Sequence, residues 1–302
     1  MKNFDLIVYG NTILDRVYFV DGYVNGTSNA GHGQYSAAGS VGNMLRAFCE
    51  LGSDKRIKVV GKVGNDEDGE ILEGQMLNMI SSQPNKTYLL EKSKGSTSNA
   101  VIISDIRKNS RTSIVNWGAC KDLNNLGATK NSTWVHLMYI DTLEKISPRD
   151  IENLSKECIV SADLCLGSHT PEQKEKIFKC LEFVDYLIVS DVEAQSLTKG
   201  VRNGVWRSYC AEESAKILGE IVKKGVIVHS PHGSTTFTSG KKKTFSGEYI
   251  GDKSLNVLGA GDIFASSFIS SMLDTNDVLE SVKFAHHHTT NVLKSRGKNE
   301  KV

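Results

Sequence analysis

The chain has 302 residues, with 36 Lys+Arg against 35 Asp+Glu and a formal net charge of +1. At roughly 150 residues per domain, this length holds two domains or one large α/β domain with an insertion, and it buries a sizeable core without metal or disulfide staples. A hydrophobic share of 39%, a charged share of 24% and a near-neutral balance exclude a disordered chain and a dedicated binder of nucleic acid or anionic membrane.

Near the N-terminus Leu6 to Tyr9 form an apolar run, too short for the core of a signal peptide but suited to a strand. Residues 13–36 follow, with Val17-Tyr18-Phe19-Val20 and then a Gly/Asn/Ser-rich stretch reaching Tyr35. A helix over Gly42–Leu51, a strand over Ile57–Val60 and a helix over Gly69–Ile80 come next. Residues 87–116 carry three strand-like segments, Thr87-Tyr88-Leu89-Leu90, Ala100-Val101-Ile102-Ile103 and Thr112-Ser113-Ile114-Val115, joined by polar ones. Beyond them, strands at Trp134–Ile140, Cys158–Ala162, Tyr186–Val189 and Val226–His229 alternate with helices at Pro148–Lys156, Pro171–Phe183 and Ala211–Lys224. Short continuous apolar runs suit strands covered on both faces. Their alternation with helices predicts a doubly wound, mostly parallel sheet with right-handed crossovers. Residues 13–36 and 87–116 break that alternation and are hairpin material. They are expected to form one small sheet projecting from a single domain over 1–302, placed as a lid over the strand C-termini.

The six cysteines, Cys49, Cys120, Cys158, Cys165, Cys180 and Cys210, form no C-x-x-C pair and read as small buried hydrophobes in a reducing compartment. No apolar run approaches the ~20 residues of a membrane span, so a cytoplasmic protein is expected. His286-His287-His288 point about 100° apart on a helix and do not converge on one ion. Lys241-Lys242-Lys243 reads as a solvated hairpin tip. Lys62, Arg46 and Arg107 are cations that can face an anionic substrate.

The chemistry concentrates in Asn256-Val257-Leu258-Gly259-Ala260-Gly261-Asp262-Ile263-Phe264. A small-residue turn leads into an apolar helix whose first N–H groups have no helical partner and carry the positive end of the macrodipole. Glycines there let the backbone approach a phosphoryl group. Asp262 in the first turn can take a proton from an attacking hydroxyl, or serve only as a capping residue. The segment alone leaves both readings open.

Gly259-Ala260-Gly261-Asp262 followed by Ile263-Phe264 resembles the C-terminal signature of the ribokinase-like (PfkB) carbohydrate kinase family. Gly10-Asn11-Thr12-Ile13-Leu14-Asp15 resembles the family's first strand-to-lid turn, and Ala38-Gly39-Ser40-Val41-Gly42-Asn43 its glycine-pair motif at the sugar site. Gly64-Asn65-Asp66-Glu67-Asp68-Gly69 is similar to its G-x-D-x-x-G turn. Ser190-Asp191-Val192-Glu193 stands where the family has N-x-x-E, and Val226 to Gly233 resembles the strand and turn bordering the nucleotide. The motifs are collinear from about residue 5 to residue 297.

The resemblance implies a ribokinase-like α/β fold and transfer of the ATP γ-phosphate to a hydroxyl of a small carbohydrate or related polyol. By it, Asp262 is the general base, and Gly259, Ala260 and Gly261 form the anion hole. Asp15, Gly39 and Asn43 bind substrate. Ser190, Glu193, Ser230 and Gly233 border ATP, and Glu193 acts on Mg2+ through water. Phosphoryl transfer needs positioning and charge neutralisation more than covalent help. Departures from the pattern are Asn256 for an acidic residue, Leu258 for Thr, Ser190 for Asn, Ala38 for Gly, and Asp163-Leu164-Cys165 at the D-P-N position. The alternatives are a nucleoside kinase and a non-catalytic sugar or nucleotide sensor. A nicotinamide dehydrogenase is disfavoured because no G-x-G-x-x-G follows the first strand. A homodimer through the lid is expected from an apolar face of Val17, Phe19, Val101 and Ile103.

Overall fold

The computed structural model describes residues 2–105, 107, 110–165, 168–198, 211–247 and 259–299, side chains excepted at 34–38, 40, 110, 111 and 297–299. In chain order the strands and helices are β1 Phe4–Tyr9, β2 Ile13–Val20, β3 Gly31–Ala38, α1 Gly39–Glu50, β4 Ile57–Gly64, α2 Glu67–Ile80, β5 Lys86–Ser93, β6 Asn99–Asp105 and β7 Ser110–Asn116. They continue with β8 Ser132–Leu137, α3 Pro148–Ser155, β9 Ile159–Ala162, α4 Pro171–Leu181, β10 Tyr186–Ser190 and α5 Asp191–Thr198. The C-terminal part holds α6 Ala211–Gly219, β11 Gly225–Ser230, β12 Gly233–Thr238, β13 Lys241–Ser246, α7 Ala260–Thr275 and α8 Val278–Asn299.

A nine-stranded sheet in the order β13-β12-β11-β10-β9-β8-β1-β4-β5 is parallel from β11 to β5, with β12 and β13 added antiparallel at one edge. The apolar runs are continuous because each strand feeds two cores. Ile7, Tyr9, Val135, Leu137, Leu187 and Val189 pack on one face against α3 to α6. Leu6, Val8, Val59, Trp134 and Ile188 pack on the other against α1, α2, α7 and α8. Burial on both faces is what such runs require. Helices α3 and α4 begin at capping boxes, Ser147 with Asp150 and Thr170 with Gln173, each with proline in the first turn. No helix among the described residues is long and apolar enough to cross a membrane.

Strands β3-β2-β6-β7 make a separate four-stranded sheet. Two hairpins, β2/β3 and β6/β7, join through a parallel β2/β6 pairing. The register corrects two expectations. Thr87 to Leu90 do not join the small sheet. They lie in β5, paired parallel with β4, because Tyr88 and Leu90 pack into the large core. Nor do Val17, Phe19, Val101 and Ile103 share one face. Val17 stands opposite Ile102, whereas Val101 stands beside Arg16 and Ile103 beside Tyr18. Val17 and Phe19 therefore belong to the inner apolar cluster with Ile13, Ala100 and Ile102. The outer face carries Tyr18, Val101, Ile103 and Ile114, the last 67% exposed.

The chain crosses between the sheets at Thr12, Gly39, Thr97–Ser98 and Trp117–Gly118, and these crossings are tied together. Thr12 Oγ1 donates to Lys62 O and accepts from Lys62 N–H, at 2.7 and 3.2 Å. The Cys120 thiol donates to Thr12 O at 3.2 Å, and Cys120 N–H to Ser98 Oγ at 3.1 Å. Asp66 caps α2 by accepting Gly69 N–H and also holds Thr97 through its N–H and its hydroxyl. The G-x-D-x-x-G segment is thus a structural joint between α2 and the entry to β6.

Two helices end two or more residues earlier than expected, and one strand does too. Helix α6 stops at Gly219 because Lys223 and Lys224 N–H groups are taken by Val184 O and Asp185 O. Helix α4 stops at Leu181, with Phe183 and Val184 N–H groups turned back to Cys180 O and Leu181 O. Strand β8 stops at Leu137 because Tyr139 takes a left-handed conformation.

Candidate active site

The sheet order reverses beside β1: the chain leaves it for β4 and β5 on one side and later returns to β8 on the other. In open α/β sheets ligands bind at such a switch point, outside the carboxyl ends of the strands. A cavity of about 340 Å³ opens there between the two sheets. Ile13, Asp15, Ala100, Ile102, Val115 and Trp117 roof it from the small sheet and its edge. Tyr139, Asp163, Cys165, Ile188, Glu193 and His229 line it from the ends of β8 to β11. Its volume lies within the usual range for small-molecule sites.

The N-terminus of α7 enters this cavity. Gly259, at φ 75° and ψ 11°, turns the chain into the helix, and the first helical bond runs from Ile263 N–H to Gly259 O at 2.9 Å. The amides ahead of Ile263 have no intrahelical acceptor and carry the positive end of the macrodipole. Asp262 lies in this first turn, 7% exposed on the cavity wall. Asn43 Nδ2 from α1 donates to Asp262 Oδ2 at 3.0 Å, and Arg46 donates to Asn43 Oδ1 at 3.2 Å. A Cβ on Gly259 would lie 3.7 Å from Asp262 Oδ2 and 3.8 Å from Asn43 Cγ, in ordinary contact with both side chains.

Gly39, the first residue of α1, brings Asn43 into place. Its φ is 64°, and a Cβ there would fall 2.8 Å from Ile13 N and 3.0 Å from Asn11 O. Glycine alone fits that crossing. Asp15, nearly buried on β2, faces the same space.

Across the cavity Ser190 and Glu193 cap α5 reciprocally. Ser190 N–H donates to Glu193 Oε2 at 2.8 Å, and Glu193 N–H to Ser190 Oγ at 3.2 Å. Replacement of Asn by Ser thus yields an S-x-x-E capping box with a local structural use. Burial pushes the Glu193 carboxyl up to about 7, against the lowering effect of the Ser190 hydrogen bonds. The charges of Asp163 and Asp141 push it further in the same direction. Against 4.5 for an ordinary Glu, folding then takes up a proton between these values. The cost of burying the Glu193 charge is absent below pH 4.5 and complete above about 7. Glu193→Gln should therefore gain stability relative to the wild type as pH rises from about 5 to 8. A melting-temperature difference that stays flat over that range would reject a titrating Glu193.

Of the residues expected from the sequence, Asp15, Gly39, Asn43, Ser190, Glu193, Gly259, Ala260, Gly261 and Asp262 line this one cavity. Ser230 and Gly233 do not. They close the β11/β12 turn, where Ser230 Oγ donates to Gly233 O at 3.1 Å. Asn256, Leu258 and Cys210 lie outside the described residues, and the Ala38 side chain is not described. Lys62 is committed to Asp122 O and Glu91, and Arg107 to Asp21. Lys241, Lys242 and Lys243 start the exposed edge strand β13, where Lys242 pairs with Glu212. Among the described residues no cluster of His, Cys, Asp or Glu could hold a metal ion directly. His286, His287 and His288 diverge, towards Ser234, Asn291 and Phe284 respectively.

Two wall residues, Asp163 and Tyr139, escaped the sequence reading, whereas His229 falls in the segment from Val226 to Gly233 that the resemblance sets beside the nucleotide. Asp163, noted there only as a departure from a motif, accepts Tyr139 N–H and stands 3.5 Å from the buried His136 Nε2. Burial pushes the Asp163 carboxyl up and the His136 imidazole down to about 3, both towards their neutral forms. His229 stacks on Phe264 with centroids 4.6 Å apart, and burial lowers it to about 3. Tyr139 stands just past the end of β8, and nothing in its neighbours' spacing marks it.

A family model described as pfkB family carbohydrate kinase matches residues 3–301. No curated protein matches the sequence. Among solved structures, Anopheles gambiae adenosine kinase in complex with P1,P4-di(adenosine-5) tetraphosphate is 18% identical with a TM-score of 0.78, over 96% of this chain and 95% of that one. Ribokinase from Thermotoga maritima is 20% identical with a TM-score of 0.74, over 96% and 93%. Arabidopsis thaliana ribokinase complexed with ribose and ATP is 18% identical with a TM-score of 0.74, again over 96% and 93%.

Proposed function

The chain belongs to the pfkB carbohydrate kinase family, and from that premise we propose that it transfers the γ-phosphate of ATP to a hydroxyl of a small carbohydrate or related polyol. The observation that carries this reading is the meeting of Asp262, Asn43 and the Gly259 turn, from opposite ends of the chain, in one cavity. Asp262 takes the proton of the attacking hydroxyl while Asn43 fixes the carboxylate's orientation. The amides of the Gly259-Ala260-Gly261 turn receive the negative charge of the transferred group. Asp15 and Asn43 orient the acceptor, and the lid of 13–38 and 99–116 excludes water from it.

Magnesium suits this donor set through water and phosphate oxygens, because direct ligands do not cluster among the described residues; Glu193 on the cavity wall would hold it in that way. The ion would neutralise phosphate charge during transfer. Panel assays of ADP release from magnesium-ATP with sugars, sugar phosphates and nucleosides test the reading. Ligand-induced stabilisation without ADP release would favour the sensor.

A second acceptor class has one observation in its favour. Apart from Asp15 the roof is mainly apolar, with Ile13, Ala100, Ile102, Val115 and Trp117, so a nucleoside's base would find a matching surface there. Adenosine turned over in preference to free sugars would establish it.

A homodimer would use the outer face of the small sheet, where Tyr18, Val101, Ile103 and Ile114 stand together, and not Val17 or Phe19. Light scattering at micromolar concentration should then give twice the chain mass, and Ile114→Asp should return it to one. A wild-type mass of one chain would reject the dimer.

A further inference from the structure

Tyr139 has φ 56° and ψ 53°, the left-handed region that a bulky side chain rarely enters. Such a conformation persists only where the surroundings over-determine it, and it marks functional sites. Here the restraint comes from both sides. Tyr139 N–H donates to Asp163 Oδ1, while its carbonyl accepts the Thr142 N–H at 2.8 Å and the Thr142 hydroxyl at 2.7 Å. Asn11 Nδ2, just past β1, donates to that same hydroxyl oxygen at 2.6 Å. Asp163 is backed in turn by His136, whose Nδ1 lies 2.7 Å from Ser161 Oγ, and Trp134 Nε1–H donates to that oxygen at 2.7 Å.

An extended residue at the end of β8 would send its side chain to one face of the sheet. The left-handed turn instead sets the Tyr139 ring on the cavity wall, at the point where the strand order reverses. Burial, then the charges of Asp262, Cys165, Asp163 and Glu193, push its phenol well up, so it stays protonated.

We infer that Tyr139 is a specificity-determining residue of the acceptor pocket, its ring limiting the depth beside Asp262 and its hydroxyl donating a hydrogen bond to an acceptor oxygen. Asp163 is a positioning residue that holds this tyrosine through its backbone N–H. The inference rests on the kinase reading of the site.

Its test compares wild type, Tyr139→Phe and Tyr139→Gly on D-ribose, D-fructose, D-fructose 6-phosphate and adenosine, with separate KM values for acceptor and ATP. Phe should raise the acceptor KM roughly tenfold and leave the ATP KM unchanged. Gly is at ease in the left-handed region and removes the ring. It should shift the ratio of kcat/KM towards the larger acceptors by about tenfold or more. Tyr139→Asn, which also tolerates this conformation, replaces Gly if that variant does not fold. Equal losses on every acceptor, or a Phe variant equal to wild type, would overturn the inference. Should the wild type release no ADP with any of the four, the kinase reading fails. The same four compounds then decide the inference by thermal shift: a stabilisation lost in Phe supports Tyr139 as a contact, and any other pattern rejects it.

Discussion

Asp262→Asn should reduce ADP release with the best acceptor by about 10²- to 10⁴-fold, the usual range for loss of a positioned general base. The substitution keeps the shape of the side chain, and its remaining oxygen can still accept the Asn43 Nδ2–H bond seen at 3.0 Å. Binding of ATP and acceptor, followed by thermal shift, should therefore be little changed. That combination separates a chemical role from a capping role, because a cap would show as lost stability with turnover intact. Turnover that survives in Asn with wild-type kcat would keep the kinase and reject Asp262 as its base.

Gly39→Ala should lower the stability of the folded protein by about 3 kcal/mol. The left-handed conformation alone costs an L-residue roughly 1–2 kcal/mol. The new Cβ would also lie 2.8 Å from Ile13 N and 3.0 Å from Asn11 O, backbone atoms that cannot swing aside as a side-chain tip does. Relief requires moving the β3/α1 crossing, and with it Asn43. Acceptor KM should rise along with the fall in urea midpoint. A midpoint within error of wild type would show that this crossing has room the structure does not display.

The large sheet was legible in the sequence because each strand buries both faces, and Ile7/Tyr9 and Leu6/Val8 leave an unbroken apolar run. The Gly259–Asp262 turn was legible because its chemistry depends on backbone conformation, which glycine advertises. The assignment of 87–90 failed because an edge strand such as β5, one face packed and one wet, has the same alternation as a hairpin strand. The faces of the small sheet could not be sorted because alternation within β2 and β6 says nothing of their parallel register. Ser190 and Glu193 did carry a readable signal, S-x-x-E ahead of a helix, which the resemblance to N-x-x-E overshadowed. Tyr139 carried none, because it acts through a backbone dihedral that side-chain spacing does not encode.

The ties among the crossings bear on how the protein comes apart. Thr12, Ser98 and Cys120 bond one another's segments, and Asp66 holds Thr97, so the small sheet has no independent joint at which to melt. In native-state hydrogen exchange the amides of Thr97 and Cys120 should open only with the global transition, while those at the far tips of β2 and β6 exchange early. The two sheets then form a single cooperative unit, and a protease that cuts the tip of the small sheet would leave its base attached.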